Sequence, residues 1–227
     1  MKKHIVVLSG AGISAESGIK TFRDSDGLWM GHNIEDVATP RGFTKNPALV
    51  LDFYNKRRQE VKKVNPNAAH TGLADLEELF DVTIVTQNID DLHERGGSKN
   101  IIHLHGEIFK VRSSTNSNEI FYTEEDVLLG DLAKDGSRLR PHIVWFEEEV
   151  PMIEKAVEIV KTADIFIVIG TSLQVYPAAG LIDLVNDEVP KYVIDKKIPS
   201  VHHLKNIIPL EGSASDGVKR LKKLLKA

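Results

Sequence analysis

In the stretch DFYNKRR (52–58), Arg57 stands three residues after Tyr54, and with Val50, Val61 and Val64 these positions repeat at spacings of four and three. On a helix such positions share one face, so a phenol and a guanidinium are aimed inward among valines. Two readings are open. The guanidinium reaches water or Glu60, or it receives an anion through paired charge-assisted hydrogen bonds. His103 and His105 alternate in HLHG (103–106). An imidazole titrates near pH 6.5 and suits proton transfer. His-x-His also suits metal ligation or plain structural duty, and no acidic cluster accompanies the pair along the chain. Asn88 and Asp90, in TQNIDDLH (86–93), follow an apolar run, where α/β folds place ligand groups and where turn formers also sit.

Gly10, Gly12 and Ala15, in VVLSGAGISAESGI, fit G-x-G-x-x-A directly after a strand. That pattern lets a backbone approach a pyrophosphate at a helix N-terminus, with Ser14 as the cap of that helix. A plain tight turn uses the same residues. The ribose-binding acid expected about 20 residues further on in a dehydrogenase is missing from TFRDSDGLW, and Asp195, closing KYVID, is the better acid. Hydride transfer on a standard dinucleotide fold is disfavoured.

The elements that must position these residues are short β-branched runs at 4–9, 82–86, 100–105, 142–146, 165–170, 191–195 and 206–210. Helical patterns at 47–64, 67–80, 151–162, 177–187 and 213–226 separate many of them. Several runs are apolar on both faces, as parallel strands covered by helices must be. The alternation predicts a doubly wound, mostly parallel, Rossmann-like α/β sheet. The main domain is assigned to 1–23, 82–106 and 141–227. Two insertions, 24–81 and the polar, hard-to-assign 107–140, are expected to form a smaller lobe.

The 227 residues suffice for one large domain or a domain with a smaller lobe, and 41% hydrophobic with 27% charged residues is ordinary for a soluble protein. A formal charge of −4 provides no broad positive field for nucleic acid or anionic lipid. The apolar run after the two N-terminal lysines, Ile5 to Leu8, is too short for a signal peptide, and no stretch reaches membrane-spanning length. The chain has no cysteine, which excludes disulfides, thiol nucleophiles and thiolate metal sites. The expected address is the cytoplasm and the expected state a monomer.

GAGISAESGIKTFR (10–23), TQNIDDLH (86–93), HLHG (103–106), RPHIVWF (140–146) and GTSLQVYPAAGL (170–181) occur in the order found in sirtuins, the NAD-dependent protein deacylases. The resemblance runs over roughly residues 5 to 217 and is strongest to the bacterial class III sirtuins, which act on succinyl- and malonyl-lysine. It implies NAD as a consumed co-substrate, acyl-lysine proteins as partners, and transfer of the acyl group to ADP-ribose with release of nicotinamide. It implies that His105 is the base and that Asn88 and Asp90 hold the nicotinamide and order water below the ribose. It assigns cofactor contacts to Gly10, Ala11, Gly12, Ser14, Ala15, Phe22, Arg23, Trp29, Gln87, Ile89, Gly170, Thr171, Ser172, Asp195 and Ala214. It assigns the acyl pocket to Tyr54, Arg57 and Ala38, and the peptide contacts to Val144, Phe146, Glu147 and Val175.

Two departures stand out. Most sirtuins staple the small lobe with zinc through two C-x-x-C pairs; here Ser113 and Asn116 occupy the first pair's place and the second pair is absent, so no structural metal is expected. Glu147 stands where relatives carry glycine. The rival readings are NAD hydrolysis or protein ADP-ribosylation, and a non-catalytic NAD-binding sensor.

Overall fold

The computed structural model describes residues 2–20 and 31–226. Six parallel strands form one sheet: β1 His4–Ser9, β2 Asp81–Thr86, β3 Ile101–His103, β7 Ile165–Ile169, β8 Lys191–Asp195 and β9 Ile207–Glu211, in the order β3-β2-β1-β7-β8-β9. The period-2 alternation shows why the strands are apolar throughout. Ile5, Val7, Ile84, Ile167 and Ile194 point into one core, while Val6, Leu8, Val85, Phe166, Val168 and Val193 point into another. Helices α4 (Ala68–Ala74) and α7 (Ala214–Lys226) cover the first face. Helix α6 (Ile153–Lys161) and the 3₁₀ segment Ala178–Leu184 cover the second.

A second sheet is antiparallel, with β4 (Gly106–Ser113) between β5 (Ile120–Tyr122) and β6 (Leu139–Ile143). It shares a third core with α1 (Ile34–Val37), α2 (Pro40–Lys45) and α3 (Pro47–Lys63). Asn46 caps α3 by accepting from the Leu49 N–H at 3.1 Å, and Pro47 opens it where no donor is needed. The short helix α5, Leu92–Arg95, sits between β2 and β3.

Several expectations need correction. The run at 142–146 does not join the parallel sheet. It overlaps β6, which returns antiparallel onto β4 without the crossover that a parallel partner requires. The stretch 107–140, unassignable by pattern, supplies most of the second sheet. The helix expected at 177–187 is a 3₁₀ segment, Ala178–Leu184, and that at 67–80 tightens to 3₁₀ over Asp75–Glu78, as helix ends commonly do. Val64 lies past the end of α3 in extended backbone, as the approach to Pro66 favours. Helix α4 packs against the parallel sheet and α7, because Ala69 and Leu73 belong to that core.

In the antiparallel sheet's tip, the Ser113 hydroxyl, buried, donates to Asp135 Oδ2 at 2.6 Å and lies 2.8 Å from Ser137 Oγ. It also accepts from the N–H groups of Thr115 and Asn116, at 3.1 and 2.8 Å. Hydrogen bonds led by that from Ser113 hold the Asp135 carboxyl far below the usual carboxylate range. Arg58, fully buried, ties α3 to this half by donating to the carbonyls of Ile108 and Glu125 and to Asn55 Oδ1.

Candidate functional site

Register brings the candidate residues to one edge. Ser9 pairs with Thr86 and with Ile169, and Thr86 pairs with His103. The residues that follow these positions therefore emerge together at the carboxyl ends of β1, β2, β7 and β3. β1 lies between β2 and β7, so chain connections leave it in opposite directions, which opens a crevice there.

The glycine loop does not open into an α-helix. Residues Ala11–Ile13 and Ala15–Ser17 are two 3₁₀ turns, and Ser14 caps neither with its side chain. The reason is that Gly10 and Gly12 send their N–H groups to Ile169 O and Gly170 O, at 3.0 and 2.8 Å, rather than along a helix axis. Gly170 has φ +65°, and a Cβ there would strike the Gly12 and Ile13 backbone, so only glycine permits the two loops to touch. Ser14 instead donates to Asp90 Oδ2 at 3.0 Å and accepts from Asn88 Nδ2 at 3.1 Å. Asp90 Oδ1 accepts the Leu92 N–H at 3.2 Å. Burial pushes the Asp90 carboxyl up, and these two donors oppose it. Gln87 Nε2 donates to Thr171 Oγ1 at 3.1 Å, and the Thr171 hydroxyl accepts the Leu173 N–H at 3.2 Å.

His105 precedes Gly106, whose φ of +82° and clash-free approach to the His142 carbonyl aim the strand end. Its Nδ1 lies 3.0 Å from the Gln87 carbonyl, which can only accept, so Nδ1 carries the proton and Nε2 the lone pair. Burial lowers its pKa and the Gln87 bond partly restores it. The result is a neutral imidazole with a bare Nε2, the form a general base requires.

Tyr54 and Arg57 are both buried on the inward face of α3, at 0% and 7% exposure. The Tyr54 hydroxyl accepts from Trp145 Nε1 at 3.0 Å. Burial lowers the Arg57 pKa, while Tyr54, Glu60 and Asp90 raise it. The Ala38 carbonyl accepts the Phe146 N–H, and the Val144 N–H bonds to the His105 carbonyl at 2.9 Å. Glu147 adopts φ +74°, a backbone that favours glycine, and its carboxylate pairs with Arg41. Phe146 and Val175 are exposed. Asp195 ends β8 and accepts the Lys197 N–H, and Ser172 follows Thr171. Ala214 opens α7 in the core, where the next residue's N–H reaches Glu16. Phe22, Arg23 and Trp29 lie outside the described residues.

Several contributors escaped pattern reading. Glu148 accepts from Arg140 Nη1 and from the Trp145 N–H, at 2.6 and 2.8 Å, and the Arg140 guanidinium stacks 3.5 Å from the Trp145 ring. Glu94 and Glu107 gather beside His103, so the expectation that no acids accompany the histidines is corrected. They come from α5 and β4, and only folding joins them. Ser9 and Thr86, hydroxyls ending two apolar strands, were the one local signal of the polar layer beneath the crevice, where Ser9 also meets the buried His93.

The sequence profile of the Sir2 family matches residues 10–177. The chain belongs to the Sir2 family. An "NAD-dependent protein deacylase" of Helicobacter pylori is 56% identical over 212 residues, covering 93% of each chain. A solved Sir2 homologue in complex with ADP-ribose superposes with a TM-score of 0.89 at 39% identity, covering 99% of this chain and 94% of that one. A Sir2 homologue solved with NAD gives 0.86 at 38%, covering 99% and 91%. The loops at 10–17, 87–90 and 170–172 bring glycine backbone, hydroxyls and carboxamides together at the crevice.

Proposed function

We propose that this NAD-dependent protein deacylase of the Sir2 family removes carboxylate-tipped acyl groups, succinyl and malonyl, from lysine. The observation that carries this reading is the burial of Tyr54 and Arg57 together on the inward face of α3. A guanidinium in a water-poor pocket clamps a carboxylate with two parallel hydrogen bonds, and a phenol adds a third. Ala38 leaves room for the acyl chain.

The substrate NAD supplies a good leaving group, nicotinamide, once C1′ of its ribose gains positive character. The acyl oxygen of the modified lysine then bonds to C1′ as the C1′–nitrogen bond breaks. Asn88, with its amide held by Ser14, and Asp90 are positioned to bind the departing carboxamide and to balance the charge. His105 Nε2 takes the proton of a ribose hydroxyl, whose oxygen attacks the acyl carbon. Water completes release of lysine and O-acyl-ADP-ribose. The acyl-peptide is expected to add as a strand beside 144–147.

Mass spectrometry of a succinyl-lysine peptide incubated with enzyme and NAD tests this directly. Succinyl-ADP-ribose and free lysine peptide are expected, and neither without NAD. NAD consumption that ignores the peptide would show a glycohydrolase instead, and no consumption would show a sensor.

The Ser113–Asp135–Ser137 network stands in for the zinc staple in this reading. A chelator is expected to leave melting temperature and activity unchanged. Ser113→Ala is expected to destabilise the fold by about 1 kcal/mol, since it removes a buried hydroxyl whose partners Asp135, Thr115 and Asn116 can turn to water. A chelator-induced drop in melting temperature would reveal a bound metal.

A further inference from the structure

His103 does not touch the crevice, yet its two ring nitrogens both end on acceptors. Nδ1 lies 3.2 Å from the Asn88 carbonyl and Nε2 lies 2.7 Å from Glu94 Oε1, with the side chain about 10% exposed. A carbonyl has no proton to give, and neither has an ionised carboxylate. Both bonds exist together only if both nitrogens carry protons. We infer that His103 is a positioning residue held as an imidazolium between Glu94 and the Asn88 carbonyl, and that its charge state sets the hold on the loop presenting Asn88 and Asp90 to NAD.

The surroundings agree. Burial pulls His103 down, but the hydrogen bond and charge of Glu94 outweigh it, with Glu107 and the Asn88 carbonyl adding to the same side, so its pKa is raised. Burial pushes Glu94 up, and the bond and charge of His103 outweigh that in turn, so Glu94 is lowered. The other groups that face this pair are His93 on α5, Lys110 on β4, which acts on Glu94 and pairs with Glu107 at 2.6 Å, and Asp90, whose carboxyl burial pushes up and the imidazolium pulls down. A raised pKa means that the contribution of His103 is complete below about pH 6.5. It is lost as pH rises through the folded value. On losing one proton the ring keeps the stronger, charge-assisted bond to Glu94. The bond to Asn88 is the one released.

Glu94→Gln should behave differently. Its carboxamide can turn an N–H toward a bare Nε2, leaving the single proton on Nδ1 for Asn88. The His103 pKa falls, but the loop keeps its bond at every pH.

Nitrogen-detected NMR of the imidazole side chains in the intact protein reads the charge state without reference to activity. Both His103 nitrogens are expected in the protonated range below pH 6.5, with the change coming above that value. A ring already neutral below pH 6.5 would overturn the inference. In steady-state kinetics, the KM for NAD is expected to rise with pH through that same midpoint while the KM for acyl-peptide stays flat; in Glu94→Gln the NAD KM should also stay flat. His103→Leu is expected to raise the NAD KM below pH 6.5 about tenfold, the size of one charge-assisted hydrogen bond. An equal rise in both KM values, or none, would also overturn it. The kinetic readouts rest on the deacylase reading; absence of turnover in the parent would defeat that reading and leave the charge state measured by NMR standing.

Discussion

Arg57→Met is expected to abolish most desuccinylation and to spare deacetylation. The guanidinium lies on the buried face of α3, and methionine fills a similar volume without the charge. A succinyl carboxylate entering the altered pocket would be desolvated without its partner. Removing one side of a buried charge pair costs about 3 kcal/mol or more, a loss of at least roughly a hundredfold in kcat/KM for succinyl-peptide. Acetyl-peptide brings no charge to this position, and its kcat/KM should change by no more than about threefold. Both substrates should be assayed on the same preparation, with melting temperature recorded. Equal loss on both would remove Arg57 from acyl recognition. Tyr54→Phe is a less clean companion, because the Tyr54 hydroxyl also accepts from Trp145 Nε1 and its removal orphans that donor.

His105→Ala should reduce kcat by roughly a hundred- to ten-thousandfold, the usual worth of a positioned base. The bond from Nδ1 to the Gln87 carbonyl is lost in that variant, so His105→Asn serves as a control that retains a donor but no base. The two should be similarly inactive. Parent-like turnover in His105→Asn would show that the imidazole acts only by holding Gln87. The pH dependence follows from burial, which depresses the His105 pKa below its ordinary value near 6.5. The active form is the neutral ring, so activity is present above the folded pKa and lost as pH falls through it. The acid limb of kcat/KM should therefore have its midpoint below about pH 6.5. A midpoint above that value would mean that an acid, rather than burial, governs His105.

These two residues show what is legible along the chain. Arg57 and Tyr54 are placed inward by spacing alone, because helix periodicity is local and α3 is long enough to express it. His105 enters through a motif, and the tautomer that makes it a base comes only from the Gln87 carbonyl 18 residues earlier in the chain. The glycine loop is legible as a turn but not as the start of a helix, since the N–H groups of Gly10 and Gly12 are claimed by the strand end at 169–170. The polar stretch 107–140 hides β4 because its partners in β6 lie about 30 residues further along the chain.

What the sequence determined by itself was whatever depends on near neighbours along the chain. That includes strands apolar on both faces, the inward side of α3, the glycines that permit tight turns, and the lack of any thiolate ligand. What the tertiary structure decided was which distant side chains meet. Ser14 with Asn88 and Asp90, Glu94 with His103, Ser113 with Asp135, and Arg58 with Ile108 are separated by 9 to 76 positions. Their meeting follows from the strand order and register of two sheets. Those are fixed by the collective burial of three cores, a long-range quantity that no short window of residues contains.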